Sequence, residues 1–367
     1  MRLTSLFFIL ISSFSIAFAQ QPELLKDKDV TMLARVIRIE SSEMKDVPNT
    51  GTQALYQTVL VEFLSGEKKG EQVSIEDSTF VMEAGDKMYV RYLETRDGST
   101  YYSIQEPYRL QSILVLALIF FAVVLLFGGK QGFLSLVALF ISFGGIFKFL
   151  FPEIINGGNV VIIATVGALL SLFVVMYLTH GFTRLTTSAF LGCAFSVIAT
   201  LLFANYAVAI TSLTGFASEE SVYLNLATRG GLDFVALLVG GIIIGVIGVI
   251  DDVAITQASV VNQLQAASPG LQVWELYGKA LKVGKDHMGA VINTLILAYA
   301  GASLPLVLLL YVSDTPALEL INREIIATEI VRSIVGSFGL ILAVPLTTLI
   351  AVFLMKGQKE TAHSHRH

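Results

Sequence analysis

Two periods divide the chain. From about residue 110 onward, long apolar runs alternate with short polar breaks. They cover residues 112–127, 133–151, 160–178, 189–211, 232–250, 288–312 and 330–354. Each approaches or reaches the length of a helix that crosses about 30 Å of hydrocarbon. Between residues 31 and 108 the period is two instead. Val59, Val61 and Phe63 fall on one face of a strand and Thr58 and Glu62 on the other, and Met88-Tyr-Val-Arg-Tyr-Leu93 alternates in the same way. Residues 65–70 and Arg96-Asp97-Gly98-Ser99 read as hairpin turns, the Asp-Gly pair being the stronger signal. The expectation is a small all-β domain, OB-like or SH3-like, at 20–110, followed by an all-α polytopic domain of about seven spans at 111–355. No metal cluster, nucleophile arrangement or phosphate loop marks the β region, so a binding module, a gating module and a structural cap remain equal readings of it.

One run is interrupted from within. Asp251 and Asp252 stand inside an apolar stretch that extends from Leu232 to Val261. A carboxylate in hydrocarbon is costly, and the C-terminus of a helix is the unfavourable end for an anion. Both objections vanish if one helix stops near Ile250 and another starts at Val253, capped by one of the aspartates. The segment 253–267 is then a broken or re-entrant piece, or lies on the inner surface. After Ser268-Pro269-Gly270, residues 271–285 set Trp274, Tyr277 and Leu281 on one face and Lys279, Lys282 and Lys285 on another, the pattern of an interfacial helix.

Composition agrees with the runs. Apolar residues make up 54% of the 367 and charged residues 14%, against about 25% charged in a soluble chain. The partner this implies is a lipid bilayer. A net charge of −5 without a dense basic stripe excludes nucleic acid as an expected partner. A single cysteine, Cys193, permits neither an intramolecular disulfide nor a cysteine-rich metal site. Met1-Arg2, an apolar stretch and Ala17-Phe18-Ala19 have the form of a signal peptide at 1–19; an uncleaved first helix would leave the same orientation. With the β domain outside, inner loops hold Lys130, Arg184, Lys279, Lys282, Lys285, Lys356, Lys359 and Arg366, and outer loops hold Lys148, Arg229, Arg323 and Arg332. That excess of inner bases predicts the β domain outside and the tail at 356–367 in the cytoplasm.

The candidate chemistry is sparse. Asp251 and Asp252 form one group, with Gln257 and Asn262. Asp286 and His287 form another, followed within the sixth run by Asn293 and Thr294. Glu329 and Arg332 begin the seventh run, near Asn322 and Glu324. Each has a plain structural reading: helix capping, an interface charge cluster, and an ion pair three residues apart. Taken together, acids near both faces with a histidine and amides between them suit a pathway for a cation or proton, without naming the ion. Asp233 and Glu329 coincide when the fifth run is shifted onto the seventh, a faint parallel repeat. His363, His365 and His367 read as a cytoplasmic tail that can bind metal weakly. No His-Glu-x-x-His, Gly-x-Ser-x-Gly or Walker loop is present, so no enzyme is expected. The cofactor and the oligomeric state are not indicated.

Several stretches carry a resemblance: Gly215-Phe-Ala-Ser-Glu219, the glycine-rich run from Gly241 to Asp251-Asp252-Val253, Gly284-Lys-Asp-His-Met-Gly289, Asn293 to Gly301, Glu329-Ile-Val-Arg332 and Gly336 to Pro345. In this order they resemble the YibE/F-like family of bacterial membrane proteins. Asp252 matches the family's aspartate-valine motif and Asp286 its aspartate before Met-Gly. Gln263 stands where the family often carries an acid. The resemblance implies a multi-spanning protein with an extracytoplasmic β domain and names no substrate. The leading expectation is a transporter or channel with a pathway among the last four spans; the alternative is a non-transporting sensor or scaffold that binds through its β domain.

Overall fold

The structure is a computed structural model and describes residues 28–47, 51–95 and 97–355. The expected signal peptide at 1–19 and the tail at 356–367 lie outside the described residues. The chain divides near residue 120 into two compact units.

The first unit is one antiparallel sheet of β1 (Lys28–Asp46), β2 (Gln53–Phe63), β3 (Gln72–Asp77), β4 (Lys87–Glu94) and β5 (Thr100–Pro107), in the order β3-β2-β1-β4-β5. The alternation read from the sequence is the one buried: Val59, Val61, Phe63, Met88 and Val90 meet Met32, Ala34, Val36 and Ile104 in one core. β1 pairs with β4 along its first half and with β2 along its second. Two register shifts, after Val36 and after Ile39, bend it between these duties. The bend brings β3 towards β5, and the sheet curls into a half-barrel. Gln57 is buried inside it and is fully engaged: its amide accepts from the Met82 N–H at 2.8 Å and donates to the Met82 carbonyl at 3.3 Å.

The second unit is helical. Its elements are α1 (Leu110–Gly145), which continues through a π-turn at Ile146–Leu150 into α2 (Phe151–Ile155), then α3 (Val160–His180), α4 (Arg184–Ile210), α5 (Glu219–Ala227), α6 (Phe234–Ala267), α7 (Val273–Ala302), α8 (Leu304–Tyr311), α9 (Ala317–Asn322) and α10 (Glu324–Met355). Among the described residues five helices are long and apolar enough to cross a membrane, or six when the bent pair α7–α8 is taken as one span. The first of them, Leu110–Ile155, is not straight. Gly129 has φ 51° and ψ −133°, a conformation that only glycine adopts readily. The rings of Phe121 and Phe140 lie 5.7 Å apart, whereas a straight helix would separate these residues by about 28 Å. The chain therefore doubles back at Gly129.

The break expected at Asp251-Asp252 is absent. α6 is a single helix of 34 residues that runs through both aspartates, and segment 253–267 is its direct continuation, neither re-entrant nor a separate surface piece. Asp233, not Asp251 or Asp252, is the N-cap, its side chain accepting from the Ala236 N–H at 3.0 Å. The expectation failed because it assumed that a helix ends where hydrocarbon ends. At 1.5 Å per residue α6 is roughly 50 Å long, well beyond a 30 Å slab. The real break lies after Ser303, where Pro305 supplies no N–H and α8 departs from α7 by 70°. The start of α7 is amphipathic as expected, with Lys279, Lys282 and Lys285 exposed, but its buried face is Leu276, Ala280 and Gly284 at four-residue spacing; of the residues expected on the apolar face, Trp274 is exposed and Tyr277 and Leu281 are partly buried.

α4, α6 and α10 form the centre of this unit, with α3 against α6 and α7 against α10. Small side chains let them approach. A Cβ on Gly192 of α4 would meet Thr347 Cα of α10 at 2.7 Å, and one on Gly240 of α6 would meet Ala164 Cβ of α3 at 3.0 Å. Gly241 and Gly248 of α6, by contrast, face open space.

Candidate functional site

The polar side chains of the helical unit gather at two levels. One level is set by Asp251 and Asp252 on α6. Asp251 is partly buried and its carboxylate accepts from the Asp252 N–H at 2.8 Å; Asp252 is exposed. Cys193 of α4 is buried beside them, its thiol 3.6 Å from the Ile250 carbonyl. His180, the last residue of α3, lies close enough to Asp252 to act on it electrostatically, and its Nδ1 meets the Gln131 amide at 3.2 Å. With Gln131 as donor, the imidazole holds its proton on Nε2. His180 and Gln131 carry no signal in the sequence, because nothing in an apolar run tells which distant turn will cover its end.

Asp286, His287 and Asn293 do not join this group. All three are exposed on α7, and their side chains make no hydrogen bond or ion pair among the described residues. Asp286 and Asn293, seven residues apart, share one face of the helix. Among the described residues no three His, Cys, Asp or Glu side chains converge as metal ligands do.

The second level is set by Glu329 and Arg332 on α10, joined at 2.8 Å and each about a third exposed or less. Glu329 lies in the wall of a cavity of about 630 Å³ bounded by α7, α8, α10 and Phe203 of α4. The bend after Ser303 creates this space, since α8 leaves the line that α7 would have followed. Tyr299, Ser303, Ser333 and Ser337 are the other polar residues in the wall. Asp233 and Glu329, aligned by the faint repeat, do different work: one caps a helix, the other pairs within one.

Between the two levels the interior is packed with small polar side chains. Ser196 of α4 donates to the Gly339 carbonyl of α10 at 2.5 Å, and Thr200 donates back to its own helix. Beyond the aspartates on α6, Gln257 is 3% exposed. Its amide donates to the Ala280 carbonyl of α7 at 3.0 Å and to the Thr348 hydroxyl of α10 at 2.6 Å. Gly284 of α7 leaves room for it; a Cβ there would stand 2.5 Å from Gln257 Oε1. The hydroxyls of Thr328, Ser337 and Thr347 are buried without a partner among the described residues.

A latch closes the Glu329 end. The carboxylate of Glu324, at the start of α10, accepts from the backbone N–H of Thr214 at 2.7 Å and of Gly215 at 2.8 Å, and from the Thr214 hydroxyl at 2.8 Å. Nearby, Asn159 and Asp233 cap α3 and α6 beside a second cavity of about 400 Å³ that also holds Asn205.

Comparison with known proteins gives one finding. The family model described as YibE/F-like protein matches residues 116–357. No match was found among curated proteins, and none among solved structures.

Proposed function

The chain belongs to the YibE/F-like family, and on that premise we propose that it is a transporter or channel for a small solute or ion. The pathway lies among α4, α6, α7–α8 and α10. The observation that carries this reading is Glu329, a partly buried acid in the wall of a cavity between membrane-crossing helices, with Arg332 bound to it. Ionisable side chains within spans are costly and are kept for binding, relay or gating. Asp251 and Asp252 supply a second charged level. Ser196 and Thr200 between the levels, and Gln257 beyond the aspartates, offer hydrogen bonds to a partly desolvated solute. Asp286, His287 and Asn293 take part as a rim along α7.

The crossings number seven in this reading. The hairpin at Gly129 counts as two and the bent α7–α8 as one. The distribution of lysine and arginine then supports a β unit outside a bacterial cytoplasmic membrane and a cytoplasmic tail. A β1 that pairs with both β2 and β4, and a β3 drawn towards β5, supports an OB-like rather than an SH3-like barrel.

Flux through the purified full chain in liposomes tests the proposal, with cations, anions and small acids as probes. We expect transport of at least one class, abolished by Glu329→Gln or Asp252→Asn in folded protein. Folded protein that moves none of them overturns it. The runner-up, a sensor or scaffold, draws support from the separate core of the β unit. Under that reading, deleting residues 31–106 removes function and leaves the helical unit intact. A membrane enzyme stands third and requires turnover of a lipid or phosphate compound without a gradient.

A further inference from the structure

The half-barrel of the β unit has a seam. Its ladders join β3 to β2, β2 to β1, β1 to β4 and β4 to β5, and among the described residues none joins β3 to β5. The two edges nonetheless lie close. A sheet edge without ladder bonds parts easily unless side chains or a covering segment hold it.

The turn between β2 and β3 supplies the hold. Its near end is fastened to β1: the Leu64 N–H donates to the Leu33 carbonyl at 2.7 Å, and the Leu33 N–H donates to Ser65 Oγ at 2.9 Å. Gly66 at φ 79° and Gly70 at φ 86° bracket a short arm that carries Lys68. From this arm Lys68 reaches the other end of the sheet. Its Nζ stands 4.7 Å from the ring centre of Tyr92 on β4 and 5.7 Å from that of Tyr102 on β5, both within cation–π range. These tyrosines are register partners, with rings 5.4 Å apart. Glu71 closes the box. Lys68 Nζ donates to its two oxygens at 3.0 and 2.9 Å, and the Tyr102 hydroxyl donates to it at 3.5 Å. Behind the box the Tyr92 hydroxyl donates to Glu94 at 2.7 Å, which fixes that ring. Although it stands in a surface turn, the Lys68 side chain is only 22% exposed.

We propose that this turn is a releasable strap: the Lys68 ammonium, seated between Tyr92, Tyr102 and Glu71, holds the seam between β3 and β5 shut, and its release opens the β unit there with the ladders intact. The division of the box supports this. Lys68 and Glu71 belong to the β2–β3 side and the two tyrosines to the β4–β5 side, so one ammonium joins the two ends of the sheet order. Phe63 adds a ring contact to Tyr102 at 6.0 Å, which has no comparable directionality. The ammonium stays charged, because hydrogen bonding to Glu71, and then to Tyr102, holds Lys68 above its ordinary 10.5. Release leaves β3 and β5 as two free edges, the places where a sheet takes up another strand. The strap is independent of the proposed pathway. For the sensor reading it supplies the two states of the β unit that such a reading requires.

The full chain in lipid nanodiscs carries nitroxide labels at Lys69→Cys on the arm and Ser103→Cys on β5, both exposed positions. Electron–electron distance measurement should show one short population while Lys68 is in place. Lys68→Met keeps most of the stem and removes the charge. It should raise the ratio of open to closed roughly tenfold, the equivalent of about 1.4 kcal/mol, visible as a second, longer population. Glu71→Gln should shift the ratio in the same direction by less. Lys68→Arg should keep the strap shut, since a guanidinium also pairs with a carboxylate and stacks on aromatic faces. Amide exchange at Val59 and Val61, inside the ladders, should match that of the chain with Lys68 in place. An unchanged distance distribution in Lys68→Met overturns the proposal. Faster exchange at Val59 and Val61 in that variant overturns it as well, because the lysine would then stabilise the whole unit rather than close a seam.

Discussion

Replacing Glu324 by alanine removes the acceptor for two backbone N–H groups and one hydroxyl in the loop that follows α4. Hydrogen bonds to an ionised carboxylate contribute about 1.5–3 kcal/mol each when the groups are desolvated. The Thr214 side is exposed and the Gly215 side partly buried, so water restores part of the loss. We expect a net cost of about 2 kcal/mol for Glu324→Ala. Glu324→Gln keeps an oxygen for the two N–H groups, and its cost should stay below about 1 kcal/mol. The loop has no easy alternative fold: Gly215 sits at φ 82°, and a Cβ there would lie 2.5 Å from the Phe234 carbonyl carbon. The effect is local, so the assay is hydrogen exchange at the Thr214 and Gly215 amides of the full chain. A 2 kcal/mol loss accelerates their exchange roughly 30-fold, while amides of the β unit keep their rates. Unchanged exchange in Glu324→Ala would refute the latch. Equal acceleration in Glu324→Gln would show that charge at the start of α10, rather than acceptor geometry, holds the loop.

Gly192→Ala should destabilise the helical unit by about 1–3 kcal/mol, because the new methyl meets the Thr347 backbone; Gly241→Ala, with open space around it, should be neutral, and thermal unfolding in detergent compares them. Spin labels at Phe121→Cys and Phe140→Cys should report a short distance if the chain turns at Gly129 and roughly 28 Å if it does not; native Cys193 is buried and leaves little background. The β unit should lose protection in acid. Hydrogen bonding from Arg91 holds Asp29 below its ordinary 3.8, hydrogen bonds from Ser74 and Arg38 hold Glu40 below 4.5, and the Thr95 hydroxyl holds Asp97 below 3.8. Lowered carboxylates contribute stability that is complete above their ordinary values and fades as pH falls through the lowered ones. Exchange at the Val59 and Val61 amides, corrected for its intrinsic pH dependence, should therefore rise below about pH 4, and less steeply in Asp29→Asn. At the alkaline end the sign reverses: the Glu76 carboxylate raises Lys45 above 10.5, and its contribution is lost only as pH climbs past that raised value.

How much of this was legible depended on the range of the interaction. Alternation alone placed Val59, Val61 and Phe63 in a core, because a strand's two faces are set by neighbours two residues apart. The Glu329–Arg332 pair was legible for the same reason, three residues being one helical turn. Thr214 and Glu324, 110 positions apart, were not. Gly192 looked like any glycine in an apolar run, and only the approach of α10 gives it a purpose. The polar break around residues 128–132 reads alike whether it is an open loop or a turn on one glycine. The misreading of Asp251-Asp252 was of another kind. The dipole and the cost of a buried charge count against carboxylates at a helix end, and α6 has no end there.

Without that helix end, the two acids acquire a mechanical meaning. Asp251 lies about 27 Å along α6 from the Asp233 cap, close to one hydrocarbon thickness. Beyond it the same unbroken helix carries Gln257, which is bonded to both α7 and α10. Motion of the acids must therefore drag three helices together or break both Gln257 bonds. The Glu329 level differs. There α7 is interrupted at Ser303, α8 departs from it by 70°, and Glu324 ties the neighbouring loop through hydrogen bonds that water can replace. The bundle is stiff at the aspartates and jointed at the glutamate. In the proposed pathway, opening by a hinge would belong to the Glu329 end, and a change of charge at Asp251 or Asp252 would reach that end through the whole length of α6.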